Sequence, residues 1–517
     1  MEGVPPLPLP VPSPALVAGL AEDLRAAGYR AAVIRSAWGE VADDAIPRGL
    51  RFPAVRALEG RTDALAVLAR LFILGMPQPE DVVDAALPRT RGAGLVDLAL
   101  AGREGSSIRP LALIRPQPFG GDGDEGDEGE WWIASDLDEA ALGGALPEDH
   151  VLGVGGASLT LAGLQLPTPA VRALDVGTGC GIQALRARRY ADAVVATDIS
   201  RRALRFAELN ALLNGVDAVD LREGSLFEPV AGEVFDRIAS NPPFVITPRV
   251  AGVPAYEYRD GGMVGDDLVA AFVRGVGAHL APGGVAQLLG NWETRGGVDG
   301  LDRVREWVAS SPMPLDAWVI ERESLDPLAY AELWIRDGGT VPGDAEFARL
   351  AEAWLDDFAE RDVAAVGFGY VLLRRPVAGA PTLARYERVG EARGAAALGG
   401  HFAEALAAHD ALAALDDMGL AASFLRVAGD VTEARHHMPG EDAPSVIELR
   451  QGGALGRTIA ADPALAALVG ACDGDLPVGV LSDAIADLLE VDAAELRADL
   501  LPKVRELVFT GFLHLEG

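Results

Sequence analysis

The chain has 517 residues, half of them hydrophobic, with 77 acidic against 44 basic side chains and a formal net charge of −33. At about 100 to 200 residues per domain the length predicts roughly three domains with ample core, while the charge excludes counterion-driven binding of the whole molecule to nucleic acid. Two cysteines, Cys180 and Cys472, exclude a disulfide framework. The longest apolar run, Ala64 to Met76, is broken by Arg70, which argues against a membrane span. With no basic or apolar export region in MEGVPPLPLPVPSP, the reading is a globular cytoplasmic protein.

In chain order, residues 14–30 and 62–75 are predicted helices, and Pro79 at a first turn opens a third, EDVVDAAL. IRPLALIRP (108–116) and EWWIASDL (130–137) are predicted strands. Helices followed by such a pair resemble a winged-helix module, assigned to 1–147, with a solvated acidic loop at 120–130 that misses the spacing of a calcium loop. Met1–Phe119 balances 13 acids against 13 arginines, so Arg48, Arg51, Arg56 and Arg61 leave contact with phosphate open.

Residues 148–166 lead into VRALDVGTGCGIQAL, where Gly155, Gly156 and Ser158 are candidates for lining a site. Val171 to Leu174 form an apolar-rich strand that ends on Asp175. Gly177, Gly179 and Gly181 then allow a tight turn with room for a ligand, before a helix from Ile182. GTGCG lacks the third glycine of the dinucleotide fingerprint, and the acid precedes the first glycine. About 20 residues on, VVATDIS ends a strand at Asp198, positioned to accept hydrogen bonds from two ribose hydroxyls. Ile199 offers an apolar face to a base. After the helix RRALRFAELNALLNG, with Asn214-Gly215 as its stop, a third strand ends at Ser225 and Leu226. A fourth, Phe235 to Ala239, runs into Asn241, Pro242, Pro243 and Phe244.

These marks together resemble the class I S-adenosylmethionine-dependent methyltransferases that carry an (N/D)PP(Y/F/W) motif, and are similar to the release-factor glutamine and ribosomal-RNA amine N-methyltransferase group with its small methyltransferase domain. The resemblance implies S-adenosyl-L-methionine as cofactor. Its amino-acid end falls to Asp175, Gly177, Thr178, Gly179 and Gly181, its ribose to Asp198 and its adenine to Ile199, Ser225 and Leu226. Serine stands at 225 where the family usually has aspartate. Asn241 also borders the cofactor. At the acceptor, the Asn241 side-chain oxygen and the Pro242 carbonyl can accept the two N–H bonds of a planar nitrogen, with Pro243 beside them and Phe244 stacking on the planar group. Such chemistry is positional and requires no metal.

Beyond Phe244, residues 256–268 are expected to form a lip over the acceptor, with Asp266 or Asp267 capping the helix that follows. APGGVAQLLGNWE, DAWVIER and VGFGYVLLRR are the fifth, sixth and seventh strands, with a helix at 345–360. The implied fold is α/β: a seven-stranded, mostly parallel Rossmann-like sheet over 148–376, flanked by smaller α+β modules. Within 377–517, a helix at 399–415 carries His401 and His409 too far apart to share a metal, and His436 and His437 lack partners at ligand spacing. From Pro444 onward three helices and an end strand look winged-helix-like; 12 acids against five bases favour a protein contact over DNA.

The function read from the chain is S-adenosylmethionine-dependent N-methylation of a planar nitrogen, with a protein glutamine amide favoured. The exocyclic amine of an RNA or DNA base, such as a ribosomal-RNA guanine or adenine, is the alternative, as is a non-catalytic cofactor-binding regulator. Phenylalanine at 244 leans toward a nucleobase; the charge of −33 and the acidic C-terminal module lean toward protein. A translation-factor-like protein or ribosomal RNA is the expected partner, contacted by the terminal modules, with no membrane involved.

Overall fold

The computed structural model describes residues 7–120, 129–143, 146–250, 252–253, 259–390 and 398–516. The chain divides into two compact units, Met1–Ala162 with Pro169–Ala380, and Gly163–Thr168 with Pro381–Gly517.

The first unit is built on a twisted sheet. Seven of its strands lie in this unit: β1 (Ala170–Val176), β2 (Ala191–Asp198), β3 (Val219–Glu223), β4 (Phe235–Ser240), β5 (Leu280–Arg295), β6 (Asp316–Leu325) and β7 (Val363–Arg374). They run side by side in the order β3-β2-β1-β4-β5-β7-β6. Pairing is parallel from β3 to β5 and antiparallel where β7 lies between β5 and β6. β1 and β2 are short runs of small and branched residues with Ala173, Leu174, Val194, Val195 and Ala196 buried, as parallel strands covered on both faces require. The chain leaves β1 toward β2 on one side and returns to β4 on the other. That reversal opens a crevice at the carboxyl ends of β1, β2 and β4, where ligands bind in open α/β sheets.

The N-terminal helices share this unit's core. Val17, Leu20, Leu68, Phe72 and Ile133 belong to one buried cluster with Cys180 of the glycine loop and Ile182, Leu185, Phe206 and Leu209 of the sheet-flanking helices. Two polar devices join them. Arg202 makes a buried fork to Asp136 at 2.7 and 2.5 Å. On the helix Arg201–Leu213 and its C-terminus, Asn210 accepts from Ala134 N (2.7 Å) and donates to Ala134 O (2.9 Å), and Asn214 does the same with Trp132 (2.8 and 2.9 Å).

The helices expected at 14–30 and 62–75 are present as Pro14–Ala26 and Ala64–Phe72, the second capped by Asp63, which accepts from Ala66 N at 3.2 Å. Pro79 takes the N-cap position of the next helix, Glu80–Ala86. The predicted pair of wing strands is arranged differently. The stretch 108–116 is divided between Ser107–Pro110, which pairs with Ala101–Glu104 and Gln78–Pro79, and Ala112–Phe119, which pairs with Gly129–Asp136. Leu111, between the two ladders, donates instead to Leu100 O. Most of the acidic loop, 121–128, lies outside the described residues. Asp266 stands at the N-cap of helix Asp267–Val276 but makes no cap bond; its buried carboxylate is gripped by Arg303.

In the second unit, helix Leu398–Ala413 is followed by strand Phe424–Val427 and a three-stranded antiparallel sheet of Val431–His437, Pro444–Gln451 and Thr458–Ala461. Helices Pro463–Ala471, Val478–Leu489 and Ala493–Phe509 and the end strand Leu513–Leu515 match the expected sequence of elements. Phe424–Val427 lies between Asp473–Pro477 and Leu513–Leu515, antiparallel to both.

Candidate active site

One cleft gathers most of the residues singled out from the sequence. Its walls include Gly177, Thr178 and Gly179 after β1, Asp198 and Ile199 after β2, Ser225 and Leu226 after β3, and Asn241, Pro242 and Pro243 after β4. It is a cleft open to solvent at one side, lined by both polar and apolar groups.

The glycine loop shows why those positions are glycine. Gly177 and Gly179 have φ of +73° and +55°, and a Cβ on either would meet nothing within 4 Å. Their freedom is therefore conformational, and the space beside them is open to a ligand. Gly181 differs, since a Cβ there would press on Ala207 Cβ at 3.1 Å; it does not line the cleft but lets the helix Arg201–Leu213 pack close.

Asp175 is fully buried beneath this loop and is not itself a wall of the cleft. Its Oδ2 accepts from the Thr178 hydroxyl at 2.6 Å, and Oδ1 has no hydrogen-bond partner among the described residues. Burial, reinforced by the charge of Asp198, pushes its carboxyl up to about 7 against the pull of Thr178 and the weaker one of the Ala184 amide. Asp198 accepts from Gly179 N (2.9 Å) and Ser200 N (2.8 Å), yet burial still holds its carboxyl above the ordinary range. Two under-compensated carboxylates beside an open glycine cradle are suited to a ligand that brings positive charge. S-adenosylmethionine, with an ammonium and a sulfonium, fits that demand.

Ile199 is 60% exposed and offers an apolar face to the cleft it lines. Leu226 has a left-handed φ of +47°, a strained setting for a branched side chain, held at the cleft beside Ser225.

At the acceptor end Asn241 Nδ2 donates weakly to Ser158 Oγ at 3.4 Å, while Oδ1 is shielded from solvent without a partner among the described residues. Ser158 also lines the cleft, as its position in the lead-in suggested; Gly155 and Gly156 do not. Phe244 is not a wall of this cleft. It lines a small neighbouring cavity with Asn291, its backbone bridges Asp260, and its ring meets that of Trp334 edge-on at 6.5 Å.

Further residues line the cleft: His150, Gln183 and Thr197, which the motifs do not include, and Asp260, Gly261 and Leu268, which lie within the stretch 256–268 expected as a lip over the acceptor. Burial pulls the His150 imidazole below its ordinary value, so it is neutral at physiological pH. Gln183 donates to Ser158 O at 2.7 Å, tying the lead-in to the helix that follows the glycine loop. Within that lip a Cβ at Gly261 would strike Leu268 and approach the Pro243 carbonyl at 3.1 Å.

A family model described as methyltransferase small domain matches residues 155–295, and one described as a domain of unknown function (DUF7059) matches 26–111. The chain is 37% identical over 151 residues to the ribosomal protein uL3 glutamine methyltransferase of Bradyrhizobium diazoefficiens, covering 27% of this chain and 46% of that protein. It is 36% identical over 151 residues to the release factor glutamine methyltransferase of Xylella fastidiosa, covering 28% and 54%. The chain thus spans about half the length of these two relatives. With the release factor glutamine methyltransferase of Deinococcus radiodurans it shares 32% identity over 249 residues, 43% of this chain and 81% of the other. The acid-glycine loop, the second acid and the NPPF turn converge on one cleft in a chain alignable with four-fifths of that relative, and the chain belongs to the class I S-adenosylmethionine-dependent methyltransferase family that includes the release factor and ribosomal protein glutamine methyltransferases.

Proposed function

We propose that the chain transfers a methyl group from S-adenosylmethionine to the side-chain amide nitrogen of a protein glutamine. The observation that carries this is Asn241 Oδ1, a buried acceptor with no partner among the described residues, set in the same cleft as the glycine loop and Asp198. A buried carbonyl oxygen left unpaired costs about 1 to 3 kcal/mol, a cost that an incoming N–H removes. The names of the relatives support protein glutamine as the acceptor.

In this reading Asp175 and the loop Gly177–Gly181 receive the amino-acid end of the cofactor, Asp198 the ribose, and Ile199, Ser225 and Leu226 the adenine. When bound, the cofactor supplies an electrophilic methyl sulfonium. Asn241 Oδ1 and the Pro242 carbonyl accept the two amide N–H bonds, turn the nitrogen lone pair toward the methyl carbon and hold it in line. Once methylated, the nitrogen loses its surplus proton to solvent, the methyl–sulfur bond having broken to leave a neutral thioether. Phe244 acts from its neighbouring cavity, keeping the turn in place.

Residues 1–147 and 377–517 are read as modules that contact the substrate protein or a partner, the methyltransferase domain being 148–376. The order helix, strand, two helices and hairpin over 64–110 supports a winged-helix-like N-terminal module, and the elements from Pro463 to Leu515 support a similar C-terminal one. A translation factor in the cytoplasm is the favoured substrate.

The test is transfer of tritium from labelled S-adenosylmethionine into a lysate, followed by separate protease and nuclease digestion. Label released by protease and recovered as methylglutamine is the expected result. Release by nuclease, or no transfer, would overturn the proposal.

A further inference from the structure

Between β6 and β7 the chain inserts two helices, Pro327–Asp337 and Ala345–Glu360. They form a core of their own, in which Tyr330, Ile335, Leu350, Trp354 and Phe358 pack with Val245 and Ile246, the residues that follow the NPPF turn. Tyr330 is fully buried at its centre. Its ring stacks on Phe368 (centroids 5.5 Å apart) and meets Phe358 edge-on at 5.8 Å. The hydroxyl accepts from the backbone N–H of Ile246 at 3.0 Å and from Asn291 Nδ2 at 2.7 Å. Asn291, itself fully buried on β5, lines the small cavity shared with Pro243 and Phe244.

The stretch after the turn is pinned at three points. Val245 N donates to Arg259 O at 2.9 Å, and Arg249 forks onto Asp260. Both partners lie in the acceptor loop, and Arg259 is itself held by the first inserted helix through Asp337 (3.1 Å) and Trp334 O (3.3 Å). The third, Ile246 to Tyr330, refers the loop to the inserted helices and, through Asn291, to the sheet. A phenylalanine would fill the aromatic space equally well, so packing alone does not account for a hydroxyl here. Its chemical use is to satisfy two buried N–H groups at a fixed place.

We propose that Tyr330 is a positioning residue for methyl transfer, its hydroxyl fixing the Ile246 peptide against Asn291 and thereby the Asn241–Phe244 turn that grips the acceptor. The inference rests on the reading of Asn241 as that grip. Tyr330 touches neither the cleft nor the reacting atoms; it acts through the turn. Because a displacement of about 1 Å in an aligned acceptor costs on the order of a hundredfold in rate, losing the tie should appear in turnover, not in cofactor binding.

The test uses the full chain with Tyr330→Phe and, as a control, Phe358→Leu, which loosens the same aromatic box without touching the hydroxyl. Three quantities are read: cofactor affinity by calorimetry, single-turnover methyl transfer at saturating acceptor, and amide exchange at Phe244, Val245, Ile246 and Thr247. Tyr330→Phe should keep cofactor affinity within about twofold, slow transfer by about ten- to a hundredfold and speed exchange at Ile246. Phe358→Leu should lower the melting temperature at least as much yet transfer at nearly the parental rate. Parental transfer by Tyr330→Phe, unchanged exchange at Ile246, or equal slowing in both variants would each overturn the positioning role. A parent chain that methylates no protein would instead count against the proposed function, and the exchange measurement still decides whether Tyr330 fixes the loop.

Discussion

Asp175→Asn separates what the glycine loop needs for folding from what it needs for binding. In the folded chain burial lifts the Asp175 carboxyl from 3.8 to about 7. At about 1.4 kcal/mol per tenfold change in proton affinity, that difference corresponds to about 4 kcal/mol against the ionised form. The folded state therefore holds more protons than the unfolded chain between pH 3.8 and about 7. Across that window this group's contribution to stability falls as pH rises, and above it the contribution levels off. Asparagine has the same shape, stays neutral at every pH and can still accept from Thr178. Its NH2 group takes the place of the unpaired Oδ1 and forfeits about 1 to 3 kcal/mol of the gain. The ligand-free variant should thus melt higher than the parent at pH 8 by the equivalent of about 1 to 3 kcal/mol, and no higher at pH 4. Its affinity for S-adenosylmethionine should fall more than about tenfold, because the carboxylate that answers the ligand's positive charge is gone. Thermal melts from pH 4 to 8.5 and calorimetry at pH 8 measure both. Parallel pH profiles for parent and variant, or undiminished cofactor affinity, would refute the reasoning.

Asp198→Ala removes the expected ribose contact and leaves the Gly179 and Ser200 amides unpaired; calorimetry should show a loss of about 1.5 to 3 kcal/mol in cofactor affinity. Asn241→Ala should leave cofactor affinity nearly intact while single-turnover transfer drops roughly a hundredfold, with Asn241→Asp milder since a carboxylate also accepts N–H bonds. Arg202→Met strands the buried Asp136 carboxylate, so denaturant titration should register a loss of about 3 to 5 kcal/mol. A fragment of residues 148–378 cuts through the core that the N-terminal helices share with Ile182, Phe206 and Leu209; it should bind an apolar dye and fail to show a cooperative melt.

The legible part of the site was the part written by contiguous chain. An acid, a glycine turn and a helix lie on one strand-to-helix corner, and the NPPF turn follows its strand directly, so periodicity and spacing were enough to place them. His150 reaches the same cleft through tertiary packing, which leaves no local pattern, whereas Thr197 directly precedes Asp198 and Asp260 falls in the expected lip. Phe244 was visible as a residue but not as a direction, because its ring is drawn to Trp334, part of a helix that the sequence reading passed over. That helix carried a signal after all: Asp326 before Pro327, with the Asp326 carboxylate accepting from Ala329 N at 2.9 Å. The strand Val431–His437 was missed because its largely exposed residues lack an alternating apolar face, whereas Pro444–Gln451 carries one in the buried Ile447 and Leu449 on either side of Glu448. The wing was misplaced because 108–116 reads as one run, whereas the chain passes from one ladder to another within it.

The pairing of Asn210 and Asn214 with Trp132 and Ala134 has a consequence for solubility. Four residues of helix advance about 6 Å and two residues of strand about 6.8 Å, so asparagines one turn apart nearly match the repeat of exposed peptide groups along an extended chain. Each carboxamide offers one donor and one acceptor, as a neighbouring strand would, and the helix serves as a counterfeit strand for Gly129–Asp136. A two-stranded ribbon ordinarily presents open edges that recruit copies of themselves into aggregates. Here that edge is occupied by side chains that cannot propagate a ladder. Replacing both asparagines by leucine would therefore not merely loosen the fold; it would expose a template for intermolecular pairing in a chain whose net charge otherwise keeps its copies apart.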